Sequence, residues 1–524
     1  MKTTTNKSVL PFFTFDTGIY LSWYHRCVAS TSSAYQWASA VFSAKPLIHF
    51  KPSLIIIGVF LLLSTACKKD LAKVNENPNA PAKAEPQSLL SNVLYQSAKN
   101  NAEEAWKNGN LLAQHTSNIE FFPIDRYDVG TNTELWNATY RLLNDVYSIE
   151  TSPASNQGYK GIALVLRSQL AALLTDLWGD VPYSQAIKGT SEGIFSPAYD
   201  KQQDIYTGPN GILDNLDKAI TLLTSSKDVI SGDIMFKGDL SKWARLASSL
   251  KVRYLMRISR KVDVSTPLQN LLTQNNLFRS NSDNAVVPFL ASAPNQWFLV
   301  NEREGRYGDV RMSTTSENIL VGLNDARLGV YFKPTVNSAT TAMPVYKGLP
   351  NGLSRASQNA YNFNDISLIG RLFRDEPQGV DAPIMTYAEL QFLLAEAAQK
   401  KLIQGSAATY YESGIKASHD YYKVGVPAGY FTKMEVAFDG TDDLKKIMTQ
   451  KWISNFLNGY EAWLDVRRTG FPVLPVPKDN LNADKFPVRF RYPDIEQAAN
   501  KKNYTEAAAR IGGDNYNSKG WWEN

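Results

Sequence analysis

The sequence predicts an all-α-dominated fold: paired helices forming a scaffold, joined to a loop-rich half with few short strands. Three observations lead there. Apolar residues recur at helical spacing in six separate stretches. Several of these stretches come in pairs divided by short polar turns. One long segment, about 275–383, lacks periodicity yet is rich in aromatics, Asn, Ser, Gly and Pro.

The first 66 residues read as a presequence. Lys45 and Lys51 flank an unbroken apolar run, Leu54–Leu63, followed by Ser64-Thr65-Ala66-Cys67 and Lys68-Lys69-Asp70. The run has the length of a signal-peptide core and is too short to cross a bilayer, which takes about 20 residues. It resembles a bacterial lipoprotein signal, in which Cys67 is lipidated and becomes the mature N-terminus. Leu63 lies one residue further from that cysteine than the usual pattern. Residues 1–44 mix aromatics with Ser and Thr, and no Met follows Met1 before Cys67. They read as a mis-assigned start, with initiation nearer Lys45 or Lys51.

Composition excludes several classes of chemistry. Of 55 basic and 50 acidic residues, five and one precede Cys67, so the chain from there on carries 50 and 49. A near-neutral, interleaved surface offers no global field for nucleic acid. Cys27 falls in the presequence, which leaves no intramolecular disulfide and no thiol nucleophile. Only His115 and His419 follow Cys67, too few for a histidine zinc site without carboxylates, and both read as structural. No glycine-rich phosphate loop appears. Neither a metal, a cofactor nor a catalytic residue is expected. Hydrolysis by a carboxylate pair stays open as an alternative, although no local motif singles out two acids.

The helical stripes follow in order. Ile162, Val165, Leu166, Leu170, Leu173 and Leu177 form the first, and Ile212, Leu216, Ala219 and Leu223 the second. Trp243, Leu246, Ala247, Leu250, Tyr254 and Ile258 form the third, with Lys251, Arg253 and Arg257 off its apolar face. Residues 387–401 predict a helix, 402–406 a turn and 407–422 a second helix. Leu444, Ile447, Met448, Trp452, Phe456 and Leu457 make the last stripe. The spacing of Leu390, Leu394, Ala397, Ala408, Tyr411 and Ile415 looks like a tetratricopeptide unit, with small residues at helix crossings. No clean 34-residue period is visible, so unrelated helical hairpins remain the alternative.

In the irregular segment, Phe289, Trp297, Phe298, Tyr307, Tyr331, Tyr346, Tyr361 and Phe363 can build a core and argue against disorder. The stretch after Gly470 is also irregular. It ends in Trp521-Trp522, a pair expected to pack back onto the body.

Several segments together resemble the SusD/RagB family of outer-membrane nutrient-binding lipoproteins. They are Asn75-Glu76-Asn77-Pro78-Asn79, Asp176–Tyr183, Gly238-Asp239 through Arg253, Asp325-Ala326-Arg327, Met385–Glu389 and Asn458–Arg468. They run in order along the chain from Cys67 to Trp522, in what reads as one domain, 67–524. The resemblance implies four tetratricopeptide-like helical pairs scaffolding a loop-rich ligand-binding half. It further implies a lipid-anchored protein on the outer face of the outer membrane that caps a SusC-like TonB-dependent transporter. Such a protein delivers glycans or peptides and is not an enzyme. The segments themselves read as architectural: Gly179 and Pro182 end a helix, and Arg467 and Arg468 beside Glu461 and Asp465 can tie a helix end.

Sugar recognition needs flat aromatic faces and planar polar groups. Asn295, Gln296, Trp297, Asn301, Arg303 and Tyr307 bring such groups into one irregular stretch. Trp297, Arg303 and Tyr307 are therefore the ligand candidates, with Trp297 reading equally well as a core side chain. A surface-anchored carbohydrate-active hydrolase is the alternative function.

Overall fold

A computed structural model describes residues 85–119, 122–301 and 308–523. The presequence and Cys67 lie outside the described residues.

Nine helices among these residues form the scaffold: α1 (Pro86–Glu104), α2 (Thr133–Thr151), α3 (Gln157–Trp178), α4 (Ile212–Ser225), α5 (Leu240–Ile258), α6 (Tyr387–Gln399), α7 (Ala407–Tyr421), α8 (Asp443–Ser454) and α9 (Glu461–Thr469). Their starts follow from local chemistry. Asn132, Asn156, Asp239, Thr386 and Ser406 each accept a bond from a first-turn backbone N–H, which satisfies donors the helix cannot use. Pro86 opens α1, where its missing N–H costs nothing.

Neighbouring helices pack in series: α1 on α2, α2 on α3, α3 on α4, α4 on α5, α5 on α6, and α6 on both α7 and α8. Small residues stand at two of the crossings. A Cβ on Gly161 would lie 2.7 Å from the Leu223 side chain, and one on Gly414 would lie 2.8 Å from the Phe392 ring. The helix α3 is apolar and long enough to cross a membrane, but it is covered almost all round as a core element.

Of the three charged residues set off the apolar face of the third stripe, Arg253 and Arg257 turn inward, whereas Lys251 pairs with exposed Asp217. Arg253 and Arg257 are buried because a second face of α5 is covered by α6 and α9. Arg253 grips Glu389 with Nε–Oε1 at 2.6 Å and Nη2–Oε2 at 2.5 Å. Arg257 meets Glu461 at 2.6 Å and Asp176 at 3.4 Å. Arg468 binds Glu396 at 2.5 and 2.6 Å, and Asp465 bridges Arg468 at 2.9 Å and Lys451 at 2.8 Å. Burial pulls Glu396 upward, yet Arg468 and Lys400 hold it down at about 2. Buried ion pairs of this kind add little net stability; each fixes one helix against another, because a shifted register would strand a charge.

The chain end closes the same layer. Trp522 donates its indole N–H to Asp176 (2.9 Å) and lies under the guanidinium of Arg467, 4.7 Å from the ring centre. The terminal Trp thus packs onto the body as its sequence context suggested.

Strands are few and short among the described residues: β1 (Thr116–Asn118), β2 (Val181–Pro182), β3 (Tyr199–Asp200), β4 (Ala285–Val287), β5 (Val310–Met312) and β6 (Ala382–Met385). They form antiparallel pairs β1–β5, β2–β3 and β4–β6. The pair β4–β6 contacts α1 and brackets the irregular segment, so both ends of that insertion are tied to the scaffold.

Candidate functional site

The irregular half is organised on the β1–β5 ribbon. Thr116, Ser117 and Asn118 pair with Met312, Arg311 and Val310, and Ile119 N–H extends the ladder to the Asp309 carbonyl at 2.9 Å. The strand β5 is flanked by two further segments. Met312 N–H donates to Ser367 (2.9 Å), and Leu349 N–H donates to Met312 (2.8 Å). Asp125 locks the assembly from below. It accepts from Asn351 Nδ2 (2.6 Å), Gly352 N–H (3.0 Å), Ser117 Oγ (3.2 Å) and Asn118 N–H (3.3 Å). Burial pushes its carboxyl up to about 6, against those four donors.

A small second core sits at this ribbon. Leu349, Leu353 and Ile366 are buried, and Ile119, Tyr361 and Phe363 pack half-buried against them. The two aromatics therefore keep part of their rings in solvent. Asn359, Asn362 and Asn364 stand beside them in the chain and are exposed. Flat aromatic faces interleaved with amides are the groups a sugar ring requires, one for its apolar face and the other for its hydroxyls.

The sequence-derived candidates fall differently. Trp297 is 1% exposed, so it is a core residue and offers no stacking face. Its indole N–H donates to the Phe373 carbonyl at 2.7 Å, and its ring meets Phe289 edge-on at 5.2 Å. Gly379, at φ +56°, lies so close that a Cβ there would come within 2.4 Å of the indole. The irregular half has an interior of its own, and the largest apolar side chain in the stretch fills it. Arg303 and Tyr307 lie outside the described residues, in the segment entering β5. The signal that sequence reading passed over is Gln358-Asn359-Ala360-Tyr361-Asn362-Phe363-Asn364-Asp365, where amides and aromatics alternate.

Both histidines are structural. His115 Nε2 bonds the Trp452 carbonyl (2.8 Å) with its ring 4.1 Å from that indole, and burial drives it down to about 3. His419 Nδ1 bonds the Ile415 carbonyl, and burial with Arg327 nearby drives it to about 4. Among the described residues no group of three or more His, Cys, Asp or Glu is arranged to hold a metal ion. Glu389, Glu396, Glu461 and Asp465 each face arginine or lysine, whereas buried Glu104 accepts from Asn108, Asn132 and the Tyr460 hydroxyl.

Among the described residues the fold is a scaffold of packed helices carrying a loop-rich half built on short strand pairs. A family model for SusD-like proteins, described as starch-binding and associating with the outer membrane, matches residues 78–493, and the chain belongs to this family. No curated protein matches it. Among solved structures it is similar to a SusD homologue from Bacteroides fragilis (26% identity, TM-score 0.74, covering 84% of this chain and 100% of that one). It is also similar to a chitin-binding protein (28%, TM-score 0.72, 84% and 100%). A chitin-binding SusD homologue from Flavobacterium johnsoniae shares the fold at 24% identity and TM-score 0.71, over 83% of this chain and 98% of that one.

Proposed function

We propose that this protein is a surface-exposed outer-membrane lipoprotein, anchored through Cys67, that binds a nutrient glycan and passes it to a SusC-like TonB-dependent transporter. The half-exposed pair Tyr361 and Phe363, set among asparagines at the β1–β5 ribbon, is the observation that carries the reading. Arg303 and Tyr307, outside the described residues, remain proposed ligand contacts on their chemistry alone. Membership of a family described as starch-binding supports a carbohydrate over a peptide ligand, and so do similar structures named as chitin-binding. The protein binds without turnover. Purified full chain mixed with starch and chitin oligosaccharides should bind one class and release no shorter product. Product release would favour the hydrolase alternative. Extraction from membranes in mild detergent should bring down a large transporter with the lipoprotein, and recovery of the lipoprotein alone would contradict the partnership.

A further inference from the structure

A cavity of about 50 Å³ lies inside the helical layer, among α1, α2, α3, α5 and the start of α9. Ser97, Asn100, Asn101 and Glu104 line it from one face of α1. The facing wall is aliphatic: Leu135 and Leu142 of α2, and Leu170, Ala172 and Leu173 of α3. Glu104 is the charged end. Its Oε2 accepts from Asn108 (2.7 Å), Asn132 (2.8 Å) and the Tyr460 hydroxyl (2.5 Å), while its Oε1 accepts from no described residue. A π-helical turn, Ala105–Gly109, follows α1 and brings Asn108 back onto Glu104; such turns gather at functional sites. A Cβ on Gly109 would overlap the Gly459 carbonyl, so a glycine there lets Asn458–Tyr460 close under the carboxylate. At the other end stands Ser97, 6% exposed, whose Oγ has no hydrogen-bond partner. Three carboxylates, of Glu104, Asp176 and Glu461, and one arginine, Arg253, line the cavity. Glu389 takes Arg253, and Arg257 meets both Glu461 and Asp176. Glu104 is thus the lining carboxylate without a cation among the described residues. Glu104 and Asn100 also line a groove of about 340 Å³ bordering α1 and α2, which gives an entry path.

We propose that this cavity is a second binding site, for a small primary ammonium on a chain of two or three carbons that ends in a hydroxyl. The ammonium donates to Glu104 Oε1, the carbons lie on the leucine wall, and the hydroxyl bonds Ser97 Oγ. Size agrees. At about 10–15 Å³ for each water-sized centre, the cavity holds roughly three to five heavy atoms. Ser97 and Glu104 stand about 10 Å apart along α1. A three-carbon amino alcohol measures about 5 Å between its end atoms, and a hydrogen bond of about 2.8 Å at each end covers the rest. Other occupants fit less well. An anion would meet three carboxylates, and a bare metal ion would meet one unbonded carboxylate oxygen beside a wall of leucine, which supplies no ligands.

The test is a saturation-transfer NMR titration of the full chain in detergent at pH 7 with 3-aminopropan-1-ol, and with 1,3-propanediol as its uncharged counterpart. The wild type should bind the amino alcohol about tenfold or more tighter than the diol. E104Q should abolish that preference, and S97A should weaken the amino alcohol several-fold. A172L, which narrows the cavity and leaves its charges in place, should weaken both compounds. The comparison of the two compounds on the wild type, together with A172L, keeps the test decisive if E104Q folds poorly. No binding by the wild type overturns the proposal, and so does equal affinity for the diol. Full affinity for the amino alcohol in folded E104Q, S97A or A172L also overturns it.

Discussion

Arg467 clasps Glu523 through two parallel bonds, Nε–Oε1 at 2.9 Å and Nη2–Oε2 at 2.8 Å, with both side chains buried and 56 positions apart. The second-last residue of the chain is thereby tied to the scaffold helix α9. Removing one partner of a buried pair leaves the other charge uncompensated, which costs about 3–5 kcal/mol, whereas removing both costs much less. Urea unfolding should show E523A strongly destabilised and R467M/E523M closer to the wild type. Equal losses in the two variants would show that the pair acts by something other than mutual compensation.

Trp297 fills the interior of the irregular half. Truncating a buried tryptophan to alanine costs about 3–5 kcal/mol, and here it also strands the Phe373 carbonyl. W297A should melt well below the wild type, and the folded fraction should bind ligand normally. A variant that melts like the wild type but loses ligand would return Trp297 to the recognition surface.

Much of the scaffold was legible because one pattern, apolar residues at helical spacing, is local. The predicted pair 387–401 and 407–422 matches α6 and α7 to within two residues, with Ser406 as the cap. Legibility failed where the deciding partner is distant. Arg253 reads only as a charge off an apolar face until Glu389, 136 positions away, is folded against it. The strands are two to four residues long and show no alternation, so only their partners define them. Trp297 carries the same composition signal whether it lines a site or a core, and Gly379 beneath it is what decides. The alternation from Gln358 to Asp365 was readable but hidden inside a stretch judged by its overall irregularity.

Asp125 gives a pH signature. Its folded value of about 6 lies above the unfolded value of about 3.9. An acid raised in this way stabilises the fold most below its unfolded value, and that contribution is lost as pH rises through about 6. Relative to D125N, the wild type should therefore lose roughly 3 kcal/mol between about pH 4 and pH 8, at 1.36 kcal/mol per unit. Urea unfolding of both proteins across that range cancels titrations they share. A constant difference would show that the four donors, not burial, set the carboxyl.

Cys67 precedes the described residues and is proposed as the anchor. C67A should abolish palmitate labelling and release the protein from the membrane fraction. Undiminished membrane retention would point to a different attachment.

The central claim is that the β1–β5 ribbon presents a glycan-binding surface through Tyr361 and Phe363. Aromatic contacts of this type contribute about 0.5–1.5 kcal/mol each beyond buried area, so losing both should weaken binding about tenfold. The direct measurement is calorimetric titration of the full chain and of Y361A/F363A with starch and chitin oligosaccharides, alongside melting curves. The account predicts binding by the wild type and about tenfold weaker binding by the variant, with a modest change in melting temperature because both rings are only half-buried. Unchanged affinity in a folded double variant would contradict it.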